Sequence, residues 1–265
     1  MNTETSRPFQ AEFDAAVRIA REAGLLLLEM QGQTRDIGFK GQADLVTDAD
    51  RASEALITDR LSIAFPDDGI LGEESGYSDL AATAERLWVV DPLDGTTNYA
   101  HGFPIYSVSI ALVVDGTVEV GAVYMPPLDE MFAAERGQGA WLNDGPASPS
   151  DCDDVRNAVL CSGFPYDVEE RPRSFEDWRK FTLAARAVRR IGSAAYDLCC
   201  VACGRFDGYW ERGPSAWDLA AGSLIVTEAG GMVTNYGLDP FDLFGREILA
   251  TCPGIHQQMS SLLME

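Results

Sequence analysis

Apolar residues recur at Phe13, Val17, Ala20, Gly24 and Leu27, spacings of four and three that lay one stripe along a helix over residues 9–30. Gly32 and Gly38 break that pattern. A second helical pattern follows Asp44-Leu-Val-Thr-Asp-Ala-Asp50 and runs through Ala55, Leu56 and Ile63 until Pro66 stops it. The period then changes. Ile70-Leu-Gly-Glu-Glu74 reads as a short strand delivering two carboxylates to its end, and Leu87-Trp-Val-Val-Asp91 as an apolar, β-branched strand closed by Pro92. Ser107–Val114 and Val118–Tyr124 flank Asp115-Gly116, a two-residue hairpin signal, and Met131–Ala134 and Gly139–Leu142 extend the antiparallel run. The polar stretch 146–157 crosses to a second half. There the pattern predicts a strand at Ala158–Ser162, helices at Glu176–Val188, Ser193–Cys203 and Trp217–Ala229, and strands at Gly208–Glu211 and Met232–Thr234. This order predicts an α+β protein of layered helices and mixed sheets, with residues 1–150 and 151–265 as two halves of one compact unit. No internal repeat is present, which excludes a solenoid.

Charge narrows the partners. The 265 residues carry 20 Lys+Arg against 42 Asp+Glu, a net charge of −22, which disfavours non-specific binding to nucleic acid or to an anionic membrane. A hydrophobic fraction of 46% supplies an ordinary core, so the acidity does not mean disorder. The longest aliphatic stretches, Leu25–Leu28 and Ile110–Val114, fall far short of the roughly 20 apolar residues that cross a bilayer. The first seven residues hold no apolar signal core. The six cysteines have no framework spacing, and the single CxxC of Cys200 and Cys203 lacks a second pair to complete a zinc site; they read as small apolar residues on a buried helix. The expectation is a soluble, reduced, cytoplasmic protein. Its basic cluster, Arg179, Lys180, Arg186, Arg189 and Arg190, reads at helical spacing as a solvated face.

The informative feature is where the acids fall. Glu73 and Glu74 end one strand, Asp91 and Asp94 end another within Asp91-Pro-Leu-Asp-Gly-Thr-Thr-Asn98, and Asp218 opens a helix within Trp217-Asp-Leu-Ala-Ala-Gly222. Any one of these alone reads as a solvated acid or, for Asp218, a helix cap. The Asp-Pro-Leu-Asp-Gly-Thr segment asks for more than a cap. Pro92 fixes the turn, Gly95 lets a ligand approach the backbone, and Thr96 and Thr97, if they open a helix, leave N–H groups that suit a phosphate. Carboxylates beside a phosphate repel it unless divalent cations lie between them. Hard oxygen donors without His or Cys suit Mg²⁺ or Mn²⁺.

At these residues the chain resembles the inositol monophosphatase family of lithium-sensitive, metal-dependent phosphatases. The matching blocks are Asp44-Leu-Val-Thr with Asp50, Gly72-Glu-Glu-Ser75, Trp88-Val-Val-Asp-Pro-Leu-Asp-Gly-Thr-Thr-Asn98, Trp217-Asp-Leu-Ala-Ala-Gly222 and Thr227-Glu-Ala-Gly-Gly231, in family order across most of the chain. The resemblance implies an αβαβα sandwich of the inositol monophosphatase and fructose-1,6-bisphosphatase type, found as a homodimer. It implies two to three Mg²⁺ ions, with Mn²⁺ as a substitute and Li⁺ as an inhibitor. Glu73, Asp91 and the Leu93 carbonyl match the first metal site; Asp91, Asp94 and Asp218 match the second; a third, weaker ion also uses Glu73. Thr96 paired with Asp50 matches the group that orients the attacking water, and the backbone of Gly95 and Thr96 the phosphate site. Asp94, Gly192, Ser193, Ala194, Glu211 and Asp218 match the polyol contacts, and Lys40 a basic residue on a loop near the metals. Most metal ligands thus fall in the first half, and Asp218 with the polyol contacts in the second. The implied activity is hydrolysis of myo-inositol monophosphate.

Two features keep alternatives open. Ser215 stands where animal members carry His, three residues before Asp218, at a position facing the inositol ring. Histidinol-phosphate and fructose-1,6-bisphosphate phosphatases share the fold, and some bacterial relatives join transcription assemblies in which catalysis is secondary. Direct RNA contact is disfavoured by the charge. His101 and His256 read as structural or exposed.

Overall fold

A computed structural model describes residues 7–31, 37–39, 45–78, 81, 84–165 and 167–265, with the backbone alone for 37–39 and 45–47. Lys40 and Asp44 lie outside the described residues. In chain order the elements are α1 (Gln10–Met30), β1 (Ile37–Phe39), β2 (Leu45–Thr47), α2 (Asp48–Ala64), β3 (Gly69–Gly72), β4 (Gly76–Tyr77), β5 (Arg86–Asp94), α3 (Thr96–Ala100), β6 (Ser107–Val114), β7 (Thr117–Met125), β8 (Glu130–Glu135), β9 (Gly139–Leu142) and β10 (Gly145–Pro146). There follow β11 (Val159–Ser162), α4 (Arg171–Ala184), β12 (Ala187–Arg189), α5 (Ala194–Ala202), β13 (Gly208–Arg212), α6 (Ala216–Glu228), β14 (Met232–Thr234), β15 (Glu247–Thr251) and α7 (His256–Met264).

Two sheets organise these elements. The larger runs β10-β9-β8-β7-β6-β5-β3-β4 and is antiparallel except where β3 lies parallel to β5. The smaller runs β12-β11-β13-β15-β14, with β11 parallel to both its neighbours. Helices α1 and α2 cover one face of the large sheet, α5 and α6 fill the space between the sheets, and α4 and α7 cover the far face of the small one. The result is an αβαβα sandwich. Strand periodicity explains the layering: Trp88, Val90, Ile110, Leu112 and Tyr124 point to α1 and α2, while Val89, Ala111, Val113 and Val123 point to α5 and α6. With both faces covered, β6 is buried along all but its last residue and is apolar apart from Ser107 and Ser109. Asp115 and Gly116 take φ of 51° and 76°, the left-handed pair that a tight hairpin with right-twisted strands requires.

Several elements depart from the pattern reading. In α2 the buried face is Asp50, Ser53, Glu54, Ile57 and Leu61, whereas Ala55 is exposed and Ile63 is 72% exposed. Hydropathy picked the wrong face because three of the inward residues are polar and have partners waiting for them. The helix expected to reach Val188 ends at Ala184, since Ala187–Arg189 pairs with β11 as an edge strand. Arg186, Arg189 and Arg190 therefore do not share a helix face with Arg179 and Lys180. Pro92 does not end β5, whose ladder resumes at Asp94. β15 and α7 went unread: β15 has only three apolar residues in a row, and what makes it a strand is its place between β13 and β14. His101 is exposed, and His256 is buried between the hydroxyls of Thr234 and Thr251. No described helix is long and apolar enough to cross a membrane.

Candidate active site

Because β3 and β5 are parallel neighbours, their C-terminal ends leave the sheet side by side and deliver Glu73 and the Asp91–Asp94 segment to one edge. Residues three apart on a regular strand point to opposite faces. Here the β5–β6 register slips, Asp91 pairing with Ser109 and Asp94 with Ser107, so one extra residue is accommodated around Pro92 and the parity is restored. Pro92 has no N–H to give the ladder, and the Leu93 N–H instead donates to Asp91 Oδ1 at 3.0 Å. α6 adds Asp218 from across the layer. The carboxylate oxygens of Asp91, Asp94 and Asp218 come within 4.8 Å of one another.

Asp91 and Asp94 are buried and Asp218 half-buried, and among the described residues none of the three pairs with a basic side chain. Burial pushes Asp91 well above the usual carboxylate range, and the charges of Glu73, Asp94 and Asp218 push it further. Asp218 is raised by burial and by Asp94 and Glu73, with the Ser215 N–H, donated at 2.6 Å, opposing. That bond is a cap, so Asp218 serves both as helix cap and as a member of the acid cluster. Burial raises Asp94 too, but Ser193 Oγ (2.7 Å), the Ala195 and Ala194 N–H groups (2.8 and 3.2 Å) and Ser107 Oγ (3.4 Å) pull it back. The first amides of α5 thus hold an anion at the positive end of the helix. Buried carboxylates at this separation repel one another by several kcal/mol unless a cation or protons intervene. Their oxygen-only donor set fits a hard divalent ion.

Beside the cluster, Thr96 Oγ1 lies 2.9 Å from Asp50 Oδ1 and 3.0 Å from the Leu93 carbonyl oxygen, with Asp50 fully buried on α2. Gly95 opens α3 at φ 97°, where a Cβ would sit 3.0 Å from the Ile105 carbonyl and 3.1 Å from that of Gly192, so only glycine fits. On the other side a cavity of about 70 Å³ brings together Asp94, Gly192, Ser193, Ala194, Glu211 and Asp218. Glu211 accepts the Tyr209 hydroxyl, and burial pushes it up to about 7 against the opposing pull of that bond and of Arg190. The cavity opens beside a cleft of about 740 Å³ bordered by Gly95, Thr97, Phe164, Arg171 and Arg190. Glu73, half-buried at the end of β3, stands outside the close trio, its N–H donated to the Val90 carbonyl at 3.2 Å. Ser215 caps α6.

Four participants escaped the pattern reading. Asn98 Nδ2 donates to the carbonyls of Ile105 (2.8 Å) and Ile191 (2.7 Å), tying the loops on either side of the cavity; its place in Asp-Gly-Thr-Thr-Asn was the available signal. Ser107 reaches Asp94 from β6. Arg190 is grouped by spacing with the solvated basic cluster, although it lies two residues before Gly192-Ser193. Asp197 lines the small cavity from α5, with its Oδ1 buried and without a hydrogen-bond partner among the described residues. Burial and Glu211 hold its carboxyl well above the usual range.

The chain is similar to known proteins along nearly its whole length. The chain is 43% identical to an inositol-1-monophosphatase of Synechocystis over 96% of this chain and 89% of that protein. It is 41% identical to the Nus factor SuhB of Pasteurella multocida over 92% of each. The extragenic suppressor protein suhB of Bartonella henselae, a solved structure, superposes with a TM-score of 0.92 at 37% identity, covering 97% of this chain and 99% of that one. The model of the inositol monophosphatase family matches residues 10–264, and the chain belongs to that family.

Proposed function

We propose that the protein is a Mg²⁺-dependent phosphomonoesterase that hydrolyses myo-inositol monophosphate to inositol and phosphate, with residues 1–150 and 151–265 as halves of one catalytic unit. The observation that carries this reading is the close trio Asp91, Asp94 and Asp218 beside the Thr96–Asp50 pair. Glu73, Asp91 and the Leu93 carbonyl would hold one ion, Asp91, Asp94 and Asp218 a second, and Glu73 with waters a third; Mn²⁺ would substitute and Li⁺ inhibit. Bound there, the metal offsets phosphate charge and lowers the pKa of the attacking water. The residues do the rest. Thr96 donates its hydrogen to Asp50, which leaves the oxygen of Thr96 to accept from a water and aim it at phosphorus. As the new P–O bond forms and the ester P–O bond breaks, the attacking water's proton passes to the Thr96–Asp50 pair, and the polyol oxygen departs beside Asp218, taking up a proton from a solvent water to leave as the alcohol. The amides of Gly95 and Thr96 steady the phosphate, and Ser193, Ala194 and Glu211 receive polyol hydroxyls.

A phosphate-release panel with Mg²⁺ tests this. Inositol 1-phosphate is expected to give the highest kcat/KM against histidinol phosphate, fructose 1,6-bisphosphate and adenosine 3′,5′-bisphosphate. Preference for another member would replace the substrate, and no turnover of any would remove the activity. A pH series tests the polyol contact. Glu211 is neutral below about 7 and an acceptor on both oxygens above it. The competent fraction therefore grows about tenfold between pH 6 and 8, and KM falls by about the same factor. Glu211→Gln should flatten that dependence; an unchanged slope would take Glu211 out of substrate binding.

The Nus factor names among the relatives favour a second reading, a partner in a transcription assembly. Glu73→Ala separates the two, since it should stop turnover but leave such binding intact. We further read the chain as a homodimer that binds no nucleic acid directly. Six free cysteines suit the reducing cytoplasm.

A further inference from the structure

Glu54 enters neither the family motif blocks nor the ligand set, and on a helix a lone glutamate ordinarily faces water. Here it is 6% exposed. It stands on α2 one turn after Asp50 and next to Ser53, spacings that put all three on one face. Each bonds a different piece of the acid centre. Asp50 Oδ1 accepts from Thr96 at 2.9 Å, Ser53 Oγ donates to the Pro92 carbonyl at 2.8 Å, and Glu54 Oε2 accepts the Glu74 N–H at 2.8 Å. Ile57 and Leu61 continue the same face into the core, so the polar end of the stripe is anchored by an apolar one.

The carboxylate of Glu54 also lies directly on Gly72, where a Cβ would come within 2.6 Å of Oε2 and 2.8 Å of Cδ. The turn that carries Glu73 is therefore gripped from both sides. Glu73's own N–H goes to the Val90 carbonyl on β5, and the next N–H goes to Glu54. Burying an acid against a backbone amide, with no basic side chain paired to it among the described residues, is costly for stability alone. It is what orienting a ligand demands.

We propose that Glu54 is a positioning residue, whose acceptor oxygen at the Glu74 amide sets the placement of Glu73 relative to Asp91. This rests on the reading that Glu73 and Asp91 hold a divalent cation. Two mechanisms make opposite predictions. If Glu54 acts by where its oxygen sits, Glu54→Gln, which keeps an acceptor at full reach, works, and Glu54→Asp, which withdraws it by one methylene, does not. If it acts through its charge, the order reverses.

The test is Mn²⁺ binding to the full-length protein, read by electron paramagnetic resonance of free Mn²⁺ and so without recourse to turnover, with circular dichroism confirming the fold. Glu54→Asp is expected to weaken Mn²⁺ binding by about 10–100-fold and Glu54→Gln by no more than about threefold. Binding by folded Glu54→Asp within about twofold of wild type would overturn the positioning role, as would Glu54→Gln falling as far as Glu54→Asp. In either case intact wild-type binding shows that the metal reading survives; a wild-type protein that binds no Mn²⁺ removes both.

Discussion

Asp91→Asn should make the metal-free protein more stable and nearly inactive. The side chain is 1% exposed and sits among carboxylates that raise its pKa along with burial, so in the absence of a cation its charge works against the fold. An amide of the same shape removes that charge and can still accept the Leu93 N–H. The melting temperature of chelated protein should rise, by about 2–4 °C for each kcal/mol of relieved repulsion in a chain of this size. With Mg²⁺ the order inverts. Wild type gains stability by mass action on the folded state, whereas the variant, lacking the carboxylate shared by both proposed metal positions, gains much less. Turnover should fall by about 10²–10³-fold, as when a preorganised group facing the transition-state charge is removed. The crossing of the two melting curves is the diagnostic result. A purely structural Asp91 would give a lower melting temperature with and without metal, and turnover near that of wild type would take it out of the centre.

Thr96→Val should lower kcat by about 10²–10⁴-fold, the range for a positioned group that assists proton transfer. Mn²⁺ binding should hold, because no oxygen of the trio belongs to Thr96. Valine keeps the shape but leaves Asp50 Oδ1 without the Thr96 donor in a buried site, a loss of about 1–3 kcal/mol of stability. Asp50→Asn should cost a similar factor in kcat. The double variant should be little worse than either single one, since the two residues act as one unit. Additive losses would separate their roles, and a Thr96→Val enzyme with wild-type kcat would leave the pair as scaffolding.

The acid centre was more legible than the fold around it, and the residues say why. Asp91-Pro-Leu-Asp-Gly-Thr-Thr-Asn98 is a local instruction: a proline that cannot extend a ladder, a glycine at positive φ and two acids in reach of each other. Ser107 and Glu54 were not legible, because each works by bonding a backbone or side chain far along the chain, and a lone polar residue carries no mark of what it will meet. The same blindness misread α2, where burying Asp50, Ser53 and Glu54 depends on partners that hydropathy does not see. Arg190 was read with its basic neighbours as a solvated face and instead borders the cleft, because α4 ends at Ala184 and β12, paired with β11, leads the chain to the site just before Arg190.

By itself the chain determined what is short-ranged: the left-handed hairpin at Asp115-Gly116, the apolar run that forms β5, the proline that interrupts its ladder and the acids placed near element ends. Whether those acids meet was decided only by tertiary structure. Parallel pairing of β3 with β5 sets Glu73 beside Asp91, an extra residue in β5 turns Asp94 to the same side, and the seating of α6 between the sheets brings in Asp218. The reason is energetic as much as geometric. Local preferences are satisfied within a few residues, but bringing mutually repelling carboxylates into one buried cluster is opposed at every step by desolvation and like charge, and only packing of the whole sandwich holds them there.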